Sequence, residues 1–213
     1  AAIATQDADN GVWALPHGDD YYAAALRWNT GVGIDAAQLH ALGHAEVSRI
    51  RGEMAAIVRD RLPLIEVEAP PAESPVGATT GAAVASEAGA EREALRASVQ
   101  ARLDAIEDTL PGYFSALPTQ SLEVQLAPPD TTGPAAVYYI PPGGDARPGT
   151  LVLDVAQVRA LPEGGLPTLV YHNGLPGHHL QVGLAQAQLA LPRLRRSLAP
   201  TAFTEGWAMY AER

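Results

Sequence analysis

The segment Tyr171-His172-Asn173-Gly174-Leu175-Pro176-Gly177-His178-His179-Leu180-Gln181 constrains this chain more than any other stretch. It sets three histidines around a Pro-Gly pair inside a helix-compatible run. Proline removes a backbone donor and glycine relaxes the chain. A helix starting near Leu166 must therefore be distorted at Pro176-Gly177 before it continues over Leu180–Leu189. The spacing also bears on chemistry. His172 lies six positions before His178 and seven before His179. On a regular helix, seven positions return to one face but about 10 Å further along the axis. Imidazoles that far apart cannot share one ion, since each ligating nitrogen sits about 2.0–2.1 Å from it. A break at Pro176-Gly177 is what would shorten the separation.

A second block follows, Thr204-Glu205-Gly206-Trp207-Ala208-Met209-Tyr210-Ala211-Glu212, on a helix starting near Thr201. Two histidines plus a glutamate from another helix form the ligand set of a catalytic zinc site, with one position left for water. The chain has no cysteine, so any metal falls to His, Asp or Glu. The usual helical pattern, His-Glu-x-x-His, places a proton-handling glutamate after the first histidine. Asn173 stands there instead. On spacing alone, a metal site and an incidental histidine cluster both stay open.

Composition narrows the remaining classes. With 213 residues there is enough chain for one domain with a core, or for part of a larger one. The net charge of −10 disfavours nucleic acid. No run of 18 apolar residues is present, so no membrane span is expected. All basic residues are arginine, which speaks to coding bias more than to function. No Gly-rich loop joins a strand to a helix, and no Gly-x-Ser-x-Gly occurs. Nucleotide binding and serine-hydrolase chemistry lack support.

Helical periodicity predicts a helix capped by Asp19 or Asp20 and ending near Thr30, with Gly31 and Gly33 breaking it. A long helix capped by Asp35 then runs to about Leu62. Residues 65–90 read as a flexible insert, and a helix from about Glu87 to Asp108 follows. Strands are expected at Leu122–Leu126, Ala136–Ile140 and Thr150–Asp154, the last two joined through Pro141-Pro142-Gly143-Gly144-Asp145 as a hairpin. The expected class is mainly α with a small antiparallel β-sheet. Residues 1–213 read as a single partial domain of a longer protein, with metal-binding helices over 166–213.

The segment 171–181 resembles the signature of a bacterial family, domain of unknown function 885, which typically reads His-Glu-x-x-Pro-Gly-His-His-Leu-Gln. Residues 203–212 resemble the family's Glu-Gly-Trp-Ala-x-Tyr-Ala-Glu block. That block is in turn similar to the Asn-Glu-Gly-Phe-Ala block of the aminopeptidase-N family, where the glutamate is the third zinc ligand. Further matches run from Val12-Trp13 to Tyr22, Leu39 to Ile50, and Tyr138 to Gly149, and the likeness is weakest over 65–90. The resemblance implies a zincin-like, gluzincin-related metallohydrolase fragment acting on a peptide or small amide substrate. It implies zinc held by His172, His178 and Glu205, with His179 as the alternative second histidine. Many members of the family look exported, which would imply a periplasmic or secreted protein if a signal peptide lies upstream.

The family's glutamate at position 173 would be the general base. An asparagine amide does not titrate near neutral pH, so it cannot take that role. A peptide-binding pseudoenzyme, a laboratory or sequencing variant, and a substitute carboxylate such as Glu212 all remain open. Glu212, seven positions after Glu205, or Asp154 would orient a ligating histidine. Tyr138 or Tyr139 would donate to a tetrahedral oxyanion, or simply pack beside a hairpin. Arg147 would pair with a substrate carboxylate, or sit exposed on a loop. His40 and His44, four apart on the long helix, read as ordinary helix surface or as a contact near the pocket.

Overall fold

Asp35 opens the longest helix of the first part of the chain by a reciprocal cap. Its Oδ1 accepts from the Gln38 amide at 2.8 Å, and Gln38 Oε1 accepts from the Asp35 amide at 3.1 Å. A computed structural model describes residues 11–61, 81–129, 131–140, 147–162 and 164–213, with the side chains of 81–88 left aside. The chain divides into two compact units, Ala1–Ala78 and Thr79–Arg213.

In the first unit a 3-10 turn, Val12–Ala14, leads into α1 (Gly18–Thr30). The start of α1 lies before the expected caps. His17 takes the N-cap position in the left-handed region, φ 57°. Asp19 and Asp20 fall in the first turn, where the helix dipole favours acidic groups. Gly31 closes the helix with φ 72°, as its lack of a side chain allows. The capped helix α2 spans Ala36–Arg61 and buries none of its residues.

In the second unit α3 runs Gly81–Glu107. It begins inside the stretch expected to be a flexible insert; residues 65–80 of that stretch lie outside the described residues. The strands are β1 (Leu122–Leu126), β2 (Ala136–Tyr139) and β3 (Gly149–Leu153). Their order is β1-β3-β2. Strands β2 and β3 pair antiparallel, Val137 opposite Val152, as the hairpin reading implies. The sheet is mixed rather than antiparallel, because β1 pairs parallel to β3, Val124 opposite Leu151. The residues explain the order. In β3 Gly149, Leu151 and Leu153 are buried and Thr150 and Val152 half-buried, which suits a central strand. Strand β2 ends in exposed Tyr139, as an edge strand can. The segment Pro141–Asp145 lies outside the described residues.

Helix α3 covers the sheet with Val99 and Leu103. Its Gln100 reaches the outer edge of β1, accepting from the Val124 amide at 3.2 Å and donating to the Leu122 carbonyl at 3.3 Å. That satisfies backbone groups an edge strand would otherwise leave unpaired. Leu151, Leu153, Val170, Leu175 and Leu180 complete the core. Short α4 (Val155–Arg159), α5 (Gly165–Asn173), α6 (His178–Ala187), α7 (Arg193–Ser197) and α8 (Thr201–Ala211) follow. The distorted helix of the sequence reading is thus two helices with a complete break. Among the described residues no helix is long and apolar enough to cross a membrane.

Candidate metal centre

The break between α5 and α6 satisfies its own backbone. The Gly174 amide donates to Val170 O at 2.8 Å and the Gly177 amide to Tyr171 O at 3.0 Å, while the His179 amide donates to Gly174 O at 3.0 Å. Glycine is obligatory at 177. A Cβ there would lie 2.0 Å from the His172 carbonyl oxygen, inside van der Waals contact with fixed backbone. Leu175, 2% exposed, plugs the loop into the core, and Trp207 Nε1 donates to Pro176 O at 2.8 Å. The loop is therefore pinned from below by packing and from the side by α8.

This turn brings the His172 and His178 rings to 4.9 Å between centroids, their planes at 88°. Glu205 reaches them from α8. Its Oε2 lies 3.3 Å from His172 Nε2 and its Oε1 3.6 Å from His178 Nε2. One ligand atom from each of the three residues lies within 4.8 Å of the others. Donors about 2.0–2.1 Å from a tetrahedral ion stand roughly 3.3 Å apart; the two Glu205 contacts are near that spacing, and the farthest pair would have to close in around an ion. His172 Nδ1 is 2.7 Å from Glu212 Oε1. A carboxylate only accepts, so Nδ1 donates to Glu212, and Nε2 is the nitrogen turned toward Glu205 and the cluster. Burial pushes the His178 pKa down, with the nearby Glu205 charge opposing and His172 adding to the fall. The neutral, ligating form is favoured accordingly.

An open cleft of about 810 Å³ borders the cluster. Ala136, Leu161, Pro162, Thr168 and Leu169 form its less polar wall, and His172, Asn173, His178, Glu205 and Glu212 its polar one. Asn173 sits in the last turn of α5, where its Nδ2 donates to Leu169 O at 3.0 Å.

The other expected residues fall elsewhere. His179, 2% exposed, turns away from the cluster into the core. Its Nε2 lies 2.9 Å from the Gln120 carbonyl oxygen and its Nδ1 2.9 Å from the Tyr138 hydroxyl. The carbonyl can only accept, so Nε2 holds the proton and Nδ1 accepts from Tyr138. Both nitrogens are taken, and His179 is not available as the alternative ligand. Burial lowers its pKa against the opposing Gln120 bond, and burial pushes the Tyr138 phenol up to about 12. Gly149 on β3 makes this possible, since a Cβ there would stand 2.6 Å from His179 Nδ1. Tyr138 is thus a structural partner and does not line the cleft; Tyr139 is 58% exposed and does not line it either. Asp154 caps α4, accepting from the Ala156 and Gln157 amides at 2.9 and 3.2 Å, instead of orienting a ligand. Arg147 is exposed and does not border the cleft. The sequence reading missed Gln120, whose contribution is a backbone carbonyl, and the Trp207–Pro176 contact, which depends on how α8 docks.

Fold and cluster together define a mainly helical protein with a small mixed sheet and a His/His/Glu group able to hold a divalent cation. The chain belongs to the bacterial proteins of unknown function DUF885, whose family model matches residues 1–213. It is similar to a solved structure described as "the putative lipoprotein from Colwellia psychrerythraea", with 29% identity and a TM-score of 0.76. The match covers 95% of this chain and 34% of that one, so the chain spans about a third of that protein's length. No curated protein matches the chain.

Proposed function

We propose that this chain carries the zinc site of a metallohydrolase for peptides or short amides, with turnover crippled at Asn173. The observation that carries the reading is the convergence of two imidazoles and a carboxylate within 4.8 Å, with Glu212 accepting a hydrogen bond from one imidazole. His172, His178 and Glu205 would hold the ion, leaving a position for water. When bound, zinc lowers the pKa of its water toward about 7 and polarises an amide carbonyl.

The remaining work falls to the chain's own side chains. Glu212 holds the His172 ring in the orientation that ligation needs. Glu205, half-exposed at the cleft, contributes negative charge to the donor set. Asn173 borders the same cleft but can neither take a proton from water nor deliver one to a leaving amine. Loss of a general base costs about 10²–10⁴ in rate. The cleft is large enough for a short extended peptide, and β2, an edge strand with Ala136 on the cleft wall, offers backbone groups for pairing with one. The hydrogen bond from Asn173 back to Leu169 favours a second reading, a catalytically inactive peptide-binding pseudoenzyme of the same fold.

Metal analysis of the purified chain tests the first claim. One zinc per chain is expected, lost in His172→Ala and in Glu205→Ala; zinc retained at full stoichiometry in both variants refutes the site. A peptide panel tests the second. Asn173→Glu is expected to raise hydrolysis by about 10²–10⁴ with zinc bound. No gain in a zinc-loaded Asn173→Glu protein favours the pseudoenzyme.

A further inference from the structure

On α2, in the first unit, His40 and His44 stand one turn apart with their Nε2 atoms 2.9 Å from each other. Their ring centroids are 4.5 Å apart and the planes cross at 80°. Both side chains are exposed, and the positions around them on the helix, Ala36, Ala37, Ala41 and Gly43, are small and exposed too. Val47 and Ser48 flank His44 on the next turn, with Ser48 Oγ donating to the His44 carbonyl at 2.9 Å.

The contact is one Nε2–H donating to the other ring's Nε2 lone pair. Two Nε2–H donors cannot face each other at this distance, so at least one Nε2 presents a lone pair. A metal ion can take the place of the shared proton once that proton has moved to the Nδ1 of its own ring. With metal–nitrogen bonds of about 2.0–2.1 Å, a 2.9 Å separation corresponds to a nitrogen–metal–nitrogen angle of about 90°. That is the angle between neighbouring corners of a square-planar or tetragonal site, the preference of Cu²⁺ and Ni²⁺. A tetrahedral zinc ion would need the nitrogens roughly 3.3 Å apart. Copper also stands highest among first-row divalent ions in intrinsic affinity for nitrogen ligands.

We infer that His40 and His44 form an exposed chelating pair for Cu²⁺, two solvent waters completing its plane. The pair differs from the His172, His178 and Glu205 cluster in ligand set and in angle. Positions four apart on a helix bring their Cβ atoms about 5–6 Å from each other, so ring rotation can aim both lone pairs at one ion. On ligation the proton on the donating Nε2 passes through solvent to that ring's own Nδ1, so both rings bind as neutral imidazoles with no net proton release, and acid competes only by protonating the Nε2 atoms.

The test uses the full chain, first saturated with zinc to fill the other cluster, then titrated with copper(II) sulfate. The wild type is expected to bind one Cu²⁺, with an electron paramagnetic resonance spectrum showing tetragonal symmetry and coupling to two equivalent imidazole nitrogens. His40→Ala and His44→Ala are each expected to weaken that step about tenfold or more, with loss of the two-nitrogen coupling. Both residues are exposed, so circular dichroism should report an unchanged fold. Zinc stoichiometry should be the same in wild type and variants. Copper bound with equal affinity and an equal spectrum in the double variant overturns the inference. So does copper that enters only by displacing zinc.

Discussion

At the residue scale the division of His172 between two carboxylates organises the cluster: Nδ1 serves Glu212 and Nε2 faces Glu205. Glu212→Gln keeps the shape but gives up the charge that makes His172 a better ligand. Zinc affinity should fall about 10–100-fold in a competitive chelator titration. An unchanged affinity would show that Glu212 has no part in ligation. The Tyr138–His179 pair makes a separate, pH-based prediction. The phenol is raised from 10.0 to about 12 in the folded chain. Between those values the unfolded chain loses a proton that the native one keeps, so stability falls as pH rises through that window. The His179 pKa is depressed below 6.5, so below that pH the unfolded chain gains a proton first and stability falls again as pH drops. Tyr138→Phe should lose the alkaline decline in urea unfolding followed against pH, and cost about 1 kcal/mol at neutral pH from the lost hydrogen bond. A full alkaline decline in that variant would place its cause elsewhere.

At the element scale the site depends on the break between α5 and α6 more than on either helix. Gly177→Ala should abolish stoichiometric zinc and destabilise the chain, because the new methyl would run into the backbone of Tyr171 and His172. Thermal unfolding and metal analysis together check it. Trp207→Phe keeps an aromatic ring against the core but loses the bond to Pro176 O, and should cost about 1 kcal/mol. The need for a break was legible in the sequence, since Pro176-Gly177 interrupts an apolar run and the histidine spacing suits no regular helix. Which histidine would turn inward was not. His178 and His179 are chemically identical, and their fates are decided by Gln120 and Tyr138, 59 and 41 positions earlier in the chain. Asp154 was misread for a related reason. A strand-ending aspartate before Ala156 and Gln157 is as good an N-cap as a histidine partner, and the local backbone claims it first.

At the scale of the whole molecule, the longer helices and all three strands were legible because their periodicities differ, whereas the five-residue helices α4 and α7 are too short to show a period. The sheet order was not. A turn-rich link between β2 and β3 announces their antiparallel pairing, but nothing local says that β3 lies between β1 and β2, which follows from burial on both its faces. The proposed centre draws its ligands from three helices, α5, α6 and α8. Zinc should therefore stabilise the folded chain by mass action, by about 2.7 kcal/mol at a hundredfold excess over Kd. A chelator should remove that increment, and a melting temperature indifferent to zinc would argue against a site built across those helices.

The most direct measurement is anomalous diffraction at the zinc edge from crystals of the zinc-loaded chain. One peak is predicted, about 2.0–2.1 Å from His172 Nε2 and His178 Nε2, with the Glu205 carboxylate as third ligand and His179 still bonded to Tyr138 and Gln120. A peak elsewhere, or none in crystals grown with saturating zinc, would contradict the account.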